Sequence, residues 1–172
     1  MRPDNIPRDE IMMRRYARWV ALTLLLVVAA GCPELNSENR AITEFNKGDV
    51  FSQREDWDAA IACYSEAVRL KPDYVAAYNK RGFAYLNKGE IGKAMNDFSE
   101  AIRLEPSFAM AYSNRGFIYQ KQGEIDKAIK EYSEAIRLKP DYVGHYLSRG
   151  GAYKEKGDQA KADADFAKAK EL

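Results

Sequence analysis

From residue 41 onward the chain repeats itself every 34 residues, and no other feature constrains its fold as strongly. Gly48, Gly82, Gly116 and Gly150 fall in one column, and Phe51, Tyr85, Tyr119 and Tyr153 in a second. A third holds Ala60, Ala94, Ala128 and Ala162, a fourth Tyr64, Phe98, Tyr132 and Phe166, and a fifth Ala67, Ala101, Ala135 and Ala169. Pro72, Pro106 and Pro140 close the first three units. Small residues recur where two helices must approach closely, and aromatic rings fill the space between them. Proline stops the second helix because it has no N–H for the hydrogen-bond ladder. Each unit is therefore predicted to be a helix hairpin, and the chain to be all-α.

The ends of the array follow from what a packing face must be, since a helix face that meets a neighbour has to be apolar. On the second helices, Trp57, Ile61 and Val68, then Ile91, Met95 and Ile102, then Ile125, Ile129 and Ile136 become Gln159, Asp163 and Lys170 in the last unit. That last face is expected to meet water and cap the stack. At the other end, the column of Tyr78, Tyr112 and Tyr146 holds Glu44 in the first unit, so no unit is expected to stack before it and four units are expected to complete the array. Glu55 stands where the later units carry Gly89, Gly123 and Gly157, which predicts a less tight first turn.

These columns resemble the tetratricopeptide-repeat (TPR) family over about 130 of the 172 residues. The resemblance implies a right-handed superhelical solenoid of four helix hairpins, spanning 41–74, 75–108, 109–142 and 143–172. It also implies a concave groove, lined by the first helices, that holds peptides or partner segments. The stripe of each first helix that faces away from its packing side reads Ile42, Phe45, Asp49, Ser52; Ala76, Asn79, Phe83, Leu86; Met110, Ser113, Phe117, Gln120; and Gly144, Leu147, Gly151, Lys154.

Phe45, Phe83, Leu86, Met110, Phe117 and Leu147 are apolar where solvent contact is expected, and such clusters mark interfaces. The same rings could instead pack between adjacent helices. Asn79, Asn114 and Asn46 are candidates to hydrogen-bond a bound main chain. Some family members grip the carboxyl tails of chaperones with Lys, Asn and Arg; the corresponding places here are Phe45, Asp49, Lys80, Met110 and Asn114, so that clamp is not expected.

Upstream of the array, Arg14, Arg15 and Arg18 precede an uncharged run from Trp19 to Gly31. As a helix this run rises only about 20 Å, short of the roughly 30 Å hydrocarbon core of a bilayer, so a cleaved signal segment over residues 1–31 is the better reading. Val28-Ala29-Ala30-Gly31-Cys32 resembles the lipobox of bacterial lipoproteins, although Ala29 stands where that motif prefers a larger aliphatic residue. The resemblance implies a diacylated Cys32 at the mature N-terminus and a short tether over 32–40, with a helix start capped by Asn36 or Ser37. Pro33, where aspartate would resemble an inner-membrane retention signal, favours an outer membrane in a host that has one.

Charge and histidine content bound the remaining functions. Residues 1–31 hold five Arg and three acidic residues of the chain's 27 basic and 26 acidic side chains, which leaves 22 and 23 for the rest. A nearly neutral folded part gives no support for nucleic-acid binding. His145 is the single histidine and lies in a column with Thr43, Ala77 and Ala111, which reads as helix packing; Cys63 stands alone among Asp97, Glu131 and Asp165. No metal, cofactor or catalytic constellation is visible. The column of Lys47, Arg81, Arg115 and Arg149 faces acidic candidates including Asp97, Glu100, Glu131 and Glu134, and is expected to form ion pairs between neighbouring units. The expected function is that of an envelope adaptor, non-enzymatic and lipid-anchored, whose partner is another envelope protein. A homo-oligomer formed through the groove or the Glu44 end is the alternative.

Overall fold

The structure, a computed structural model, describes residues 33–172, and the expected signal segment and Cys32 lie outside the described residues. Eight helices and no strand occur among the described residues: α1 (Pro33–Gln53), α2 (Trp57–Leu70), α3 (Val75–Asn87), α4 (Ile91–Leu104), α5 (Ala109–Lys121), α6 (Ile125–Leu138), α7 (Val143–Lys156) and α8 (Gln159–Glu171). Residues 41–172 form one compact unit, an all-α solenoid in which α3 pairs with α4, α5 with α6 and α7 with α8, and successive hairpins stack. Helix α1 begins at Pro33, upstream of Asn36 and Ser37, so 33–40 is helical rather than extended. Proline suits that first position, because its missing N–H would have had no intrahelical partner there.

Each hairpin closes by laying a ring on a glycine. A Cβ at Gly48 would sit 2.5 Å from the Tyr64 ring, at Gly82 2.8 Å from Phe98, at Gly116 3.0 Å from Tyr132 and at Gly150 2.7 Å from Phe166. Ala60, Ala67, Ala94, Ala101, Ala128, Ala135 and Ala162 are fully buried around these contacts. Packing continues across units: Tyr64 and Ala60 of the first hairpin share a core with Ala84 of α3, and Phe98 with Ile118 of α5. The second helices end alike. Lys71, Glu105 and Lys139 cap them with φ of −136°, −136° and −138°, the extended backbone that a following proline imposes.

The first turn corrects an expectation. Glu55 has φ 58°, the same left-handed conformation as Gly89, Gly123 and Gly157 at 77°, 78° and 88°. Asp56 N–H reaches Phe51 O at 3.0 Å, matching Glu90 to Tyr85 at 2.9 Å, so this turn is as tight as the others. The side chain of Asp56 accepts from Ala59 N–H and caps α2, which helps hold Glu55 in a backbone region unfavourable for a residue with a Cβ.

The arginine column corrects another. Arg81 donates two N–H groups to Asp97 at 2.8 Å, Arg149 does the same to Asp165 at 2.8 and 2.7 Å, and Arg115 grips Glu131 at 3.1 and 2.9 Å. All three pairs join the two helices of one hairpin. What crosses to the preceding unit is the third donor, from Arg81 to Ser65, Arg115 to Ser99 and Arg149 to Ser133. Salt bridges between units are made instead by Lys88 with Asp58, Lys156 with Asp126 and Lys80 with Asp49. On α8, Gln159, Asp163 and Lys170 are exposed.

Candidate functional site

The first helices α3, α5 and α7 contact one another in succession, and α1 meets α3 through Asp49 and Lys80; the stripes that the resemblance assigns to a concave groove run along these helices. Four of the apolar residues singled out on those stripes are held open to solvent: Phe83 at 42%, Met110 at 36%, Phe117 at 41% and Leu147 at 49% relative exposure; Ile42, on the α1 stripe, is exposed to 42%. Large apolar side chains left this exposed on neighbouring helices form the kind of patch that soluble proteins reserve for contacts.

The other named residues are partly or wholly consumed by the fold. Phe45 packs on Tyr64 and Tyr74, with ring centroids 5.7 and 5.0 Å away, and Leu86 packs on the core around Phe98 and Ile118. Asn79 is buried, and its carbonyl accepts from the Asn114 amide at 2.9 Å, so these two link α3 to α5. Asn114 is half-buried and keeps its own carbonyl and one N–H for other partners. At the α1 end, Asp49 is committed twice, to Lys80 at 3.1 Å and to the Tyr64 hydroxyl at 2.7 Å. Burial, reinforced by the hydrogen bond to Asp49, drives the Tyr64 pKa well above its usual value.

His145 is 1% exposed and packs at a tilt against Tyr142, 4.6 Å between centroids. Its Nδ1 lies 3.2 Å from Ser113 Oγ, while Nε2 is buried without a partner. Burial, reinforced by the charge of Lys139, holds its pKa down to about 4. A hydroxyl beside an imidazole is one half of a nucleophilic constellation, and among the described residues no hydrogen-bond partner sits on the far nitrogen to orient the ring. Cys63 is a free, half-buried thiol whose pKa is pushed up by burial and then by Glu44, which lowers its nucleophilic fraction. Among the described residues no three His, Cys, Asp or Glu side chains are grouped to hold a metal ion, and no helix is long and apolar enough to cross a membrane.

The repeated hairpin agrees with known families. A family model described as TPR repeat matches residues 48–89, 84–123 and 118–157, and one described as tetratricopeptide repeat matches 146–172. The chain belongs to the tetratricopeptide-repeat family. No curated relative matches it. Among solved structures, this TPR protein is similar to a crystal structure of MamA, with 32% identity and a TM-score of 0.69 over 77% of this chain and 78% of that one. A MamA from Desulfovibrio magneticus RS-1 aligns at 20% identity and a TM-score of 0.68, over 91% of this chain and 94% of the other. The first TPR of Spaghetti (RPAP3), bound to the HSP90 peptide SRMEEVD, shares the fold at 22% identity and a TM-score of 0.66, over 70% of this chain and 95% of its own.

Proposed function

We propose that this TPR protein is an adaptor that acts by binding alone, seating an apolar segment of another envelope protein on the concave face of α1, α3, α5 and α7. The observation that carries the reading is the shared exposure of Phe83, Met110, Phe117 and Leu147, which the packing of the solenoid leaves only partly covered. Burying such side chains against a partner contributes roughly 25 cal/mol per Å² of apolar area. That a distant structural relative was solved with a peptide bound supports the use of an array of this shape for holding chain segments. The lipobox-like Val28-Ala29-Ala30-Gly31-Cys32 supports anchoring through acylated Cys32, and Pro33 supports the outer membrane where there is one.

Two experiments test the parts separately. Labelled palmitate fed to expressing cells should enter the chain and be lost in Cys32→Ser; incorporation that survives this change removes the anchor. Affinity capture from detergent-solubilised membranes, with the full chain beside a Phe83→Glu/Phe117→Glu variant, should recover a protein only with the parent. Equal recovery by both would show that the concave face is not the binding surface, and recovery of the chain itself alone would turn the reading toward a homo-oligomer.

A further inference from the structure

The concave face is not electrically uniform along its length, and the asymmetry bears on what it holds. At the α1–α3 end the cation is already neutralised, because Lys80 pairs with Asp49 at 3.1 Å. At the α5–α7 end, Lys121 and Lys154 have no carboxylate in ion-pair distance among the described residues. Lys154 occupies the groove stripe itself and is exposed. Lys121 follows the stripe by one residue, and its Nζ lies 5.3 Å from the Phe117 ring centroid, over the apolar floor. Of the carboxylates nearest them in sequence, Glu124 pairs with Lys127 and Glu155 is engaged by the Gln120 amide at 2.8 Å. The floor also opens here. The column that carries Asp49, Phe83 and Phe117 carries Gly151 on α7, where an added Cβ would meet nothing within 4 Å.

Resting on the adaptor reading above, we infer that the groove takes a polarised partner segment: apolar side chains over Phe83, Met110 and Phe117, and one or more carboxylates at the α7 end, over Gly151 and between Lys121 and Lys154. Charge complementarity identifies the occupant. A lysine ammonium beside an aromatic floor is partly desolvated once a segment covers it, and a carboxylate on that segment restores the lost interaction, whereas a neutral or basic residue leaves the charge unpaired. The same logic gives direction, since a carboxylate at the other end would meet Asp49 with its lysine already taken. These cations lie on α5 and α7 and at other positions than the places of the chaperone-tail clamp.

The probe is a randomised dodecapeptide library displayed on phage and panned against the full chain in detergent micelles. Enriched sequences should pair two or more apolar residues with Asp or Glu clustered at one end. A peptide of the enriched sequence should lose at least tenfold in affinity for a Lys121→Glu/Lys154→Glu variant and regain it when its acidic residues are replaced by lysine. Binding to Lys80→Gln should change less than threefold. Enrichment of apolar sequences with no acidic bias, lost in Phe83→Glu/Phe117→Glu but unaffected by the lysine changes, would overturn this inference and leave the adaptor reading standing. Absence of any enrichment, or enrichment indifferent to the phenylalanine changes, would overturn both.

Discussion

Glu55 and Gly89 hold the same left-handed backbone conformation, φ 58° and 77°, at equivalent turns of successive hairpins. A residue with a Cβ costs roughly 1 kcal/mol in that region, which glycine does not incur. The turn around Glu55 is kept by the Asp56 N–H bond to Phe51 O and by the Asp56 cap on α2. Glu55→Gly should therefore stabilise the array by about 0.5–1 kcal/mol, with part of the gain offset by the greater freedom of glycine in the unfolded chain. Urea unfolding followed by circular dichroism measures it, and a lower midpoint in the variant would show that Glu55 sits there without strain.

The arginine pairs divide into those the hairpin encloses and those water surrounds. Asp97 and Arg81 are 9% and 17% exposed at the side chain, whereas Arg103, paired with Glu100, is 67% exposed. Asp97→Ala strands a guanidinium between two helices and should cost about 2–4 kcal/mol. Glu100→Ala, one turn further along α4, should cost under about 0.5 kcal/mol. Equal losses in unfolding free energy for the two variants would contradict the distinction.

Those pairs also show where the sequence was legible. The 34-residue columns identify the glycine–aromatic contacts of Gly48 with Tyr64 and Gly82 with Phe98, because steric demand between two helices of one hairpin repeats with the unit. The partner of Arg81 was present in the same columns. Arg81, Arg115 and Arg149 each precede an acidic residue by 16 positions, and the first unit, with Lys47 and Cys63, lacks both members together. Joining those two columns would have placed the pair within the hairpin. The Asn79–Asn114 bond and the packing of Phe45 against Tyr74 had no such signal. They depend on how closely consecutive first helices approach, which a single column does not encode, and so part of the apolar stripe turned out to be core and part open surface.

His145 makes stability depend on pH. Its folded pKa lies near 4, below the ordinary value of 6.5, so the unfolded chain binds a proton over that interval and the folded chain does not. The contribution of the neutral ring is complete above about pH 6.5 and is lost as pH falls toward 4. His145→Ala, which copies Ala77 and Ala111 of the same column, should cost about 1–3 kcal/mol at pH 7 through lost packing on Tyr142. That gap should close as the pH is lowered to 4.5. Parallel urea titrations at pH 7, 5.5 and 4.5 check it, and a gap that stays constant would mean that the ring protonates without penalty.

Phe83 and Phe98 are the sharpest test of which rings belong to the fold. Phe98 is fully buried on the backbone of Gly82, while the neighbouring Phe83 is 42% exposed and meets Trp57 edge-on at 6.2 Å. Truncating a buried phenylalanine removes its transfer energy and leaves a cavity, so Phe98→Ala should cost about 3–5 kcal/mol. Phe83→Ala loses only the Trp57 contact and the apolar area on one side, and should cost under about 1 kcal/mol. A side chain that is large, apolar, repeated at Phe117 and nearly dispensable for stability is one whose presence has to be explained by what it binds. Should Phe83→Ala destabilise the array as much as Phe98→Ala, the ring would count as core, and the concave face would lose its claim as the binding surface.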